Sequence, residues 1–129
     1  MDELLEEICL REDMLLEMAR VGFIGDEYEV FIHTNDPGHI PHFHMWDKAT
    51  RGQNFHTCIR IDKPEYFYHT GKEGKLNSKI KKALMLFLTS PHKNKRYSNN
   101  WEYMLSMWND NNSTTFVSES SPIPNYVLL

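Results

Sequence analysis

Hydrophobic and polar positions change period twice along this chain. From residue 3 to residue 20, Leu5, Ile8, Leu15, Leu16 and Ala19 follow helical spacing, interrupted by Glu12, and Asp2 can cap the start. This predicts an N-terminal helix over 3–20, ended by Gly22 and Gly25. From Tyr28 the period falls to two. Strands are predicted at Tyr28–Thr34, His42–Asp47 and Phe55–Ile61, with a poorer one at Tyr66–Thr70. Between the first two lies Asn35-Asp36-Pro37-Gly38, where proline presets φ at the second turn position and glycine accepts a positive φ. Lys48–Asn54, with Gly52, joins the second strand to the third, and Asp62-Lys63-Pro64-Glu65 closes the third. The helical period then returns. Ile80, Ala83, Leu84, Phe87 and Leu88 form one stripe, capped by Asn77 or Ser78 and stopped by Pro91. Trp101, Met104, Leu105 and Trp108 form a second, begun by Asn99 or Asn100. Beyond Asn111 the chain is rich in serine, asparagine and proline, which predicts a loosely ordered tail over 111–129.

These elements predict an α+β fold. A small antiparallel meander of three to four strands packs against two C-terminal helices, with an extra N-terminal helix at residues 1–22. The length suits a single domain over 1–110.

Alternation along a strand sorts side chains onto two faces. Tyr28, Val30 and Ile32 share one face with Phe43, Met45, Phe55, Thr57, Ile59 and Ile61, and this is the core face. Parity then sends Glu29, Phe31, His33, His42, His44, Trp46, His56, Cys58 and Arg60 to the other. Four histidines thus share one face of one small sheet. A symmetric first hairpin pairs residues whose numbers sum to 75, setting His33 opposite His42. A symmetric second hairpin pairs numbers that sum to 100, setting His44 opposite His56. Opposed Cβ atoms lie about 4.5 to 5.5 Å apart, close enough to share a metal or a proton.

Three of the seven histidines fall within residues 39–46, and three readings compete for them. In the first, His39, His42 and His44 hold a divalent metal such as zinc, since three neutral ligands and a water form a catalytic zinc site. In the second, His42, His44 and His56 carry metal-free acid–base chemistry, with the Arg60 guanidinium on a phosphate. In the third, the face is a stacked and hydrogen-bonded polar surface with no chemistry. Gly71-Lys72-Glu73-Gly74-Lys75-Leu76 imitates a phosphate loop and fails, because the first glycine would have to stand at His69 and leucine follows Lys75. His69 and His92 stand apart from the face and read as surface residues.

Composition adds limits. The content is 40% hydrophobic, 25% charged and 12% aromatic, an ordinary globular balance. No apolar run approaches the roughly 18 to 20 residues of a membrane span, and the start is too acidic for a signal peptide. Cys9 and Cys58 make no disulfide framework, so both read as ordinary thiols of a reduced, cytoplasmic protein. The net charge of −4 is segregated. Residues 1–20 carry −5, whereas residues 71–96 carry +7. The basic run, with Lys79, Lys81 and Lys82 at its centre, is a candidate anion surface on the first C-terminal helix. The acidic N-terminal helix is a candidate dock for a protein partner.

Around His39-Ile40-Pro41-His42-Phe43-His44 the chain resembles a family of small bacterial proteins, domain of unknown function 4160. The resemblance runs over about residues 25–110. It includes the Pro-His-Phe-His strand, the glycines at 71 and 74, the basic helix and the Asn100-Trp101 start of the last helix. It implies a cytosolic, toxin–antitoxin-like protein with possible nucleic-acid chemistry. The acidic N-terminal helix, the longer Lys48–Asn54 loop and the tail depart from that pattern. The expected function is therefore a toxin-like protein acting on nucleic acid through the histidine face. The alternatives are a non-catalytic protein-binding regulator, phage-borne or defence-related, and a metal-binding module.

Overall fold

Val30, Ile32, Phe43, Met45 and Ile59 project from three successive strands into one apolar cluster, and the remaining architecture is built to cover them. The computed structural model describes residues 18–34, 40–67, 74–112 and 115–129. Four strands form one antiparallel sheet in the order β1-β2-β3-β4: β1 (Met18–Ile24), β2 (Tyr28–His33), β3 (His42–Asp47) and β4 (His56–Arg60). Helices α1 (Ser78–Thr89) and α2 (Asn100–Asn111) follow, and a short 3₁₀ turn, Tyr126–Leu128, ends the chain. The α+β meander is as expected.

Its fourth strand is not where the pattern placed it. Met18–Ile24, read from sequence as the last helical turn and its terminator, is β1. The rest of the helix expected over 3–20, residues 3–17, and with it the acidic docking surface, lies outside the described residues. The strand was hidden because its alternation is broken. Arg20 pairs with Phe31 but Gly22 pairs with Val30, so Val21 is an extra bulged residue. A bulge inserts one residue and reverses the parity beyond it. Arg20 and Phe23, three apart, therefore share the histidine face, while Val21 joins the core. Gly25, at φ +58°, is the left-handed residue of the β1–β2 hairpin rather than a helix cap. The poorer strand at Tyr66–Thr70 is reduced to a single bridge, Ile59 to Tyr66, with residues 68–70 outside the described set. The Asn35–Gly38 turn and residues 71–73 also lie outside it.

The two helices form as their stripes predict. The Asn77 side chain accepts from Ile80 N and caps α1, and Asn99 accepts from Glu102 N to cap α2. Leu84, Leu88, Trp101, Met104, Leu105 and Trp108 are all buried against the sheet.

The tail is a correction. Its described residues strap the helices to the sheet instead of fraying. Trp108 Nε1 donates to Thr115 O at 2.6 Å, and Trp101 Nε1 to Ser121 O at 2.8 Å. Asn109 and Val117 exchange two hydrogen bonds. Tyr126 is fully buried against Phe43 and donates its hydroxyl to Arg60 O at 2.6 Å. Composition misled here because the strap needs few apolar anchors. Its backbone carbonyls satisfy indole N–H groups that the core would otherwise bury unpaired.

Candidate metal centre on the histidine face

The observed ladders lay the second face out as a grid. One row reads Phe23, Glu29, Trp46, His56, and the next reads Arg20, Phe31, His44, Cys58. At the following level, Met18 pairs with His33 and His42 pairs with Arg60. The first hairpin has the expected register, with sums of 75 along the ladder from Tyr28–Asp47 to Phe31–His44. The second is shifted by two: His44 faces Cys58 and Trp46 faces His56, so the sum is 102 rather than 100. An even shift keeps every side chain on its face, which is why the face assignment survives a wrong pairing. The shift leaves a wider β3–β4 loop over residues 48–54, organised by Asp47. Its carboxylate accepts from Thr50 N, Thr50 Oγ1, Gly52 N and Phe55 N.

Three donor atoms converge where these rows meet. His44 Nδ1 lies 2.8 Å from His56 Nε2 and 3.0 Å from Cys58 Sγ, and His56 Nε2 lies 3.9 Å from Cys58 Sγ. Among the described residues this is the one group of metal-ligating type so arranged. Tetrahedral zinc, with bonds of about 2.0–2.1 Å to nitrogen and 2.3 Å to sulfur, sets its ligand atoms about 3.3 to 3.6 Å apart. The observed triangle matches this to within about half an ångström. Two ring nitrogens at 2.8 Å need a proton between them, and a metal ion can take that proton's place. Binding is therefore a competition with protons.

The surroundings fix these rings. His33 stacks on His44 with centroids 4.1 Å apart, and Phe31 stacks on its other neighbours at 5.0 Å from His44. His42 Nδ1 lies 2.7 Å from Ile40 O. A carbonyl only accepts, so Nδ1 of His42 carries a proton. His42 touches Phe67 on one side and Trp108 of α2 on another. The face is closed rather than open: Phe31, His42, His44 and Cys58 are fully buried, and His56 is half-buried.

The predicted site residues separate accordingly. His44 and His56 come together as expected. His42 stands beside them, 5.0 Å from His44 between ring centroids, but its described contacts do not place it in the triangle. His39 lies outside the described residues. Arg60, read as a phosphate ligand, is instead held by Asp62 through two hydrogen bonds of 2.8 and 2.6 Å, with Glu65 3.7 Å away. These partners raise its pKa, mainly through the Asp62 hydrogen bond. Lys79, Lys81 and Lys82, the candidate anion residues, all lie on α1. Lys81 donates to the Leu129 carbonyl, and Lys79 lines a groove that also holds Asp26 and Glu27. That groove, about 760 Å³ between the β1–β2 turn and α1, is lined by no histidine or cysteine among the described residues. His92 stacks on Tyr103 with centroids 4.0 Å apart, away from the face.

Cys58 lies on the face that parity gives it, and its Sγ stands beside the His44 and His56 ring nitrogens. It was assigned to the histidine face yet read as an ordinary thiol. The signal was its position two residues after His56 on the same strand, which gives H-x-C the same facing as H-x-H. Comparison with known proteins finds no matching family model, no matching curated protein and no matching solved structure.

Proposed function

We propose that this chain is a small metal-binding domain in which His44, His56 and Cys58 hold one zinc-like divalent ion. The observation that carries this reading is the convergence of two imidazole nitrogens and one thiol within 3.9 Å on a buried sheet face. A thiolate with imidazoles suits zinc, whereas magnesium and calcium prefer oxygen ligands. A site that depends on a thiolate also suits a reducing, cytoplasmic location. Among the described residues, no helix is long and apolar enough to cross a membrane.

The toxin-like reading, in which the histidine face acts on nucleic acid, rests on the resemblance to domain of unknown function 4160. Burial weighs against it in its open-face form, since a substrate would have to reach His44 and Cys58, both fully covered. The deciding experiment is elemental analysis of protein purified from zinc-supplemented medium. The expected result is close to one zinc per chain, with the Cys58→Ser and His56→Ala variants losing about tenfold or more in affinity. A full complement of metal in a variant that combines Cys58→Ser and His56→Ala would place the ligands elsewhere. Protein without metal would return the face to the acid–base or purely structural readings.

A further inference from the structure

The same sheet face continues past Trp46 into a recess of about 510 Å³ between β1 and the β3–β4 loop. Among the described residues its walls carry Arg20, Lys48 and Arg51 against a single carboxylate, Glu29, in a chain whose net charge is −4. That carboxylate is already committed. Glu29 Oε2 takes Arg20 Nε at 2.7 Å, and Oε1 takes Trp46 Nε1 at 3.1 Å. Glu29 is buried, and the Arg20 side chain is 56% exposed. The ion pair engages one edge of the guanidinium and leaves its terminal nitrogens to a ligand. Phe23 stands between two cations, with the Arg20 guanidinium 4.7 Å and the Lys48 ammonium 4.9 Å from its ring centre.

The loop that supplies the other two cations is built rather than slack. The Asp47 carboxylate gathers its backbone N–H groups, and Lys48 N donates to Glu27 O of the neighbouring hairpin. Gly52 presses on Trp46 so closely that a Cβ there would lie 2.8 Å from the indole. Arg51 is held at φ +51°, in the left-handed region that side chains other than glycine and asparagine rarely adopt. Such a conformation costs about 1 kcal/mol or more and is a recurrent mark of functional positions.

We infer that this recess binds a phosphate monoester, with Arg20, Lys48 and Arg51 on the phosphate and Phe23 beside its organic part. The volume is in the range of small-ligand sites, and the paired donors of arginine suit phosphate oxygens. The phosphate can come from a free nucleotide or from the 5′ end of a nucleic-acid strand. The recess is independent of the metal triangle, although the row from Phe23 through Trp46 ends at His56.

Calorimetric titration with AMP, adenosine, a 5′-phosphorylated oligothymidylate and its 5′-hydroxyl counterpart tests this, on both metal-loaded and chelator-treated protein. At least one phosphorylated probe should bind in both preparations and its unphosphorylated partner should not. Tighter binding of AMP identifies a free nucleotide, and tighter binding of the oligonucleotide identifies a strand end. The Lys48→Gln, Arg51→Gln variant changes two exposed residues and should bind about tenfold more weakly or worse. Arg51→Gly should also lose affinity while melting at a higher temperature than the parent, because glycine relieves the left-handed backbone. Equal binding of phosphorylated and unphosphorylated probes, unchanged affinity in the double variant, or no binding at millimolar concentration would overturn the inference.

Discussion

The two faces of this sheet are both buried along β3 and are chemically opposite there. Phe43 and His44 are neighbours on β3, and neither is exposed. Phe43 enters a cluster of aliphatic and aromatic side chains, whereas His44 enters stacked imidazoles, a thiol and Phe31. The first face is stabilised by removing apolar surface from water, at about 25 cal/mol per Å². The second cannot be, because each buried imidazole must keep its nitrogens hydrogen-bonded or pay about 1–3 kcal/mol. Core packing alone gives no reason to bury His42, His44, His56 and Cys58 together. A bound ion supplies one, since it replaces proton-mediated contacts by coordinate bonds.

The largest effect should come from the apolar face and should ignore metal. Phe43→Ala opens a cavity among Val30, Tyr126 and their neighbours and should cost about 3–5 kcal/mol in denaturant unfolding. The loss should be the same with and without a chelator. A chelator-dependent loss would mean that the two faces are not energetically separate.

The adjacent position should behave in the opposite way. Zinc held at 100 to 1,000 times its dissociation constant should stabilise the parent by about 3–4 kcal/mol, and a chelator should remove this. His44→Ala should abolish the chelator sensitivity. The metal-dependent part should also fade as pH falls, because the thiol and imidazoles must lose protons to bind. An unfolding midpoint that responds equally to chelator in parent and His44→Ala would break the comparison.

How much of this was legible follows from which physics acts locally. The helical stripes, both asparagine caps and the core faces of β2–β4 are set by short-range periodicity, so the residues alone reveal them. The histidine face followed from parity and survived a two-residue register error. β1 was missed because a bulge at Val21 erases alternation, and no local signal announces a bulge. The strap was missed because it is held by the indole donors of Trp101 and Trp108 on α2, 20 and 7 residues before the carbonyls they reach, and not by an apolar pattern of its own. The approach of Cys58 to His44 depended on cross-strand pairing, a long-range contact. Arg60 looked available only because Asp62, two residues on, was counted as turn rather than partner.

A smaller effect tests the loop that joins the two strands of the proposed metal site. Burial raises the pKa of Asp47, but the hydrogen bonds from Thr50, Phe55 and Gly52 outweigh it and hold the carboxyl below its usual value. A depressed folded-state pKa gives stability that is present above the unfolded value of about 3.9 and is lost as pH falls through the folded one. Asp47→Asn should therefore cost about 2 kcal/mol at neutral pH, on the order of a charge-assisted hydrogen bond. The cost should begin to shrink below about pH 4, where the unfolded chain takes up the proton, and vanish once the pH passes the lower folded-state value. A difference between parent and variant that is constant from neutral pH to pH 3 would show that the charge of Asp47 does not hold the loop.

The smallest effect returns to the apolar face and asks whether the strap belongs to it. Tyr126 packs against Phe43 and Trp101, and burial pushes its phenol far above the ordinary tyrosine range. The hydroxyl therefore stays protonated and donates to the Arg60 carbonyl at 2.6 Å. Tyr126→Phe keeps the ring and removes only that bond, so the expected loss is about 1 kcal/mol. Part of that loss is the carbonyl of Arg60 left without its donor. Because Arg60 lies on β4, two residues beyond Cys58, the change also probes whether the faces communicate along the strand. If they are separate, the variant should melt slightly lower and bind the same amount of metal with the same affinity. Unchanged stability would mean that the strap does not close on the core. Weakened metal binding would mean that the tail positions β4 for the histidine face, and the division between the two faces would no longer hold.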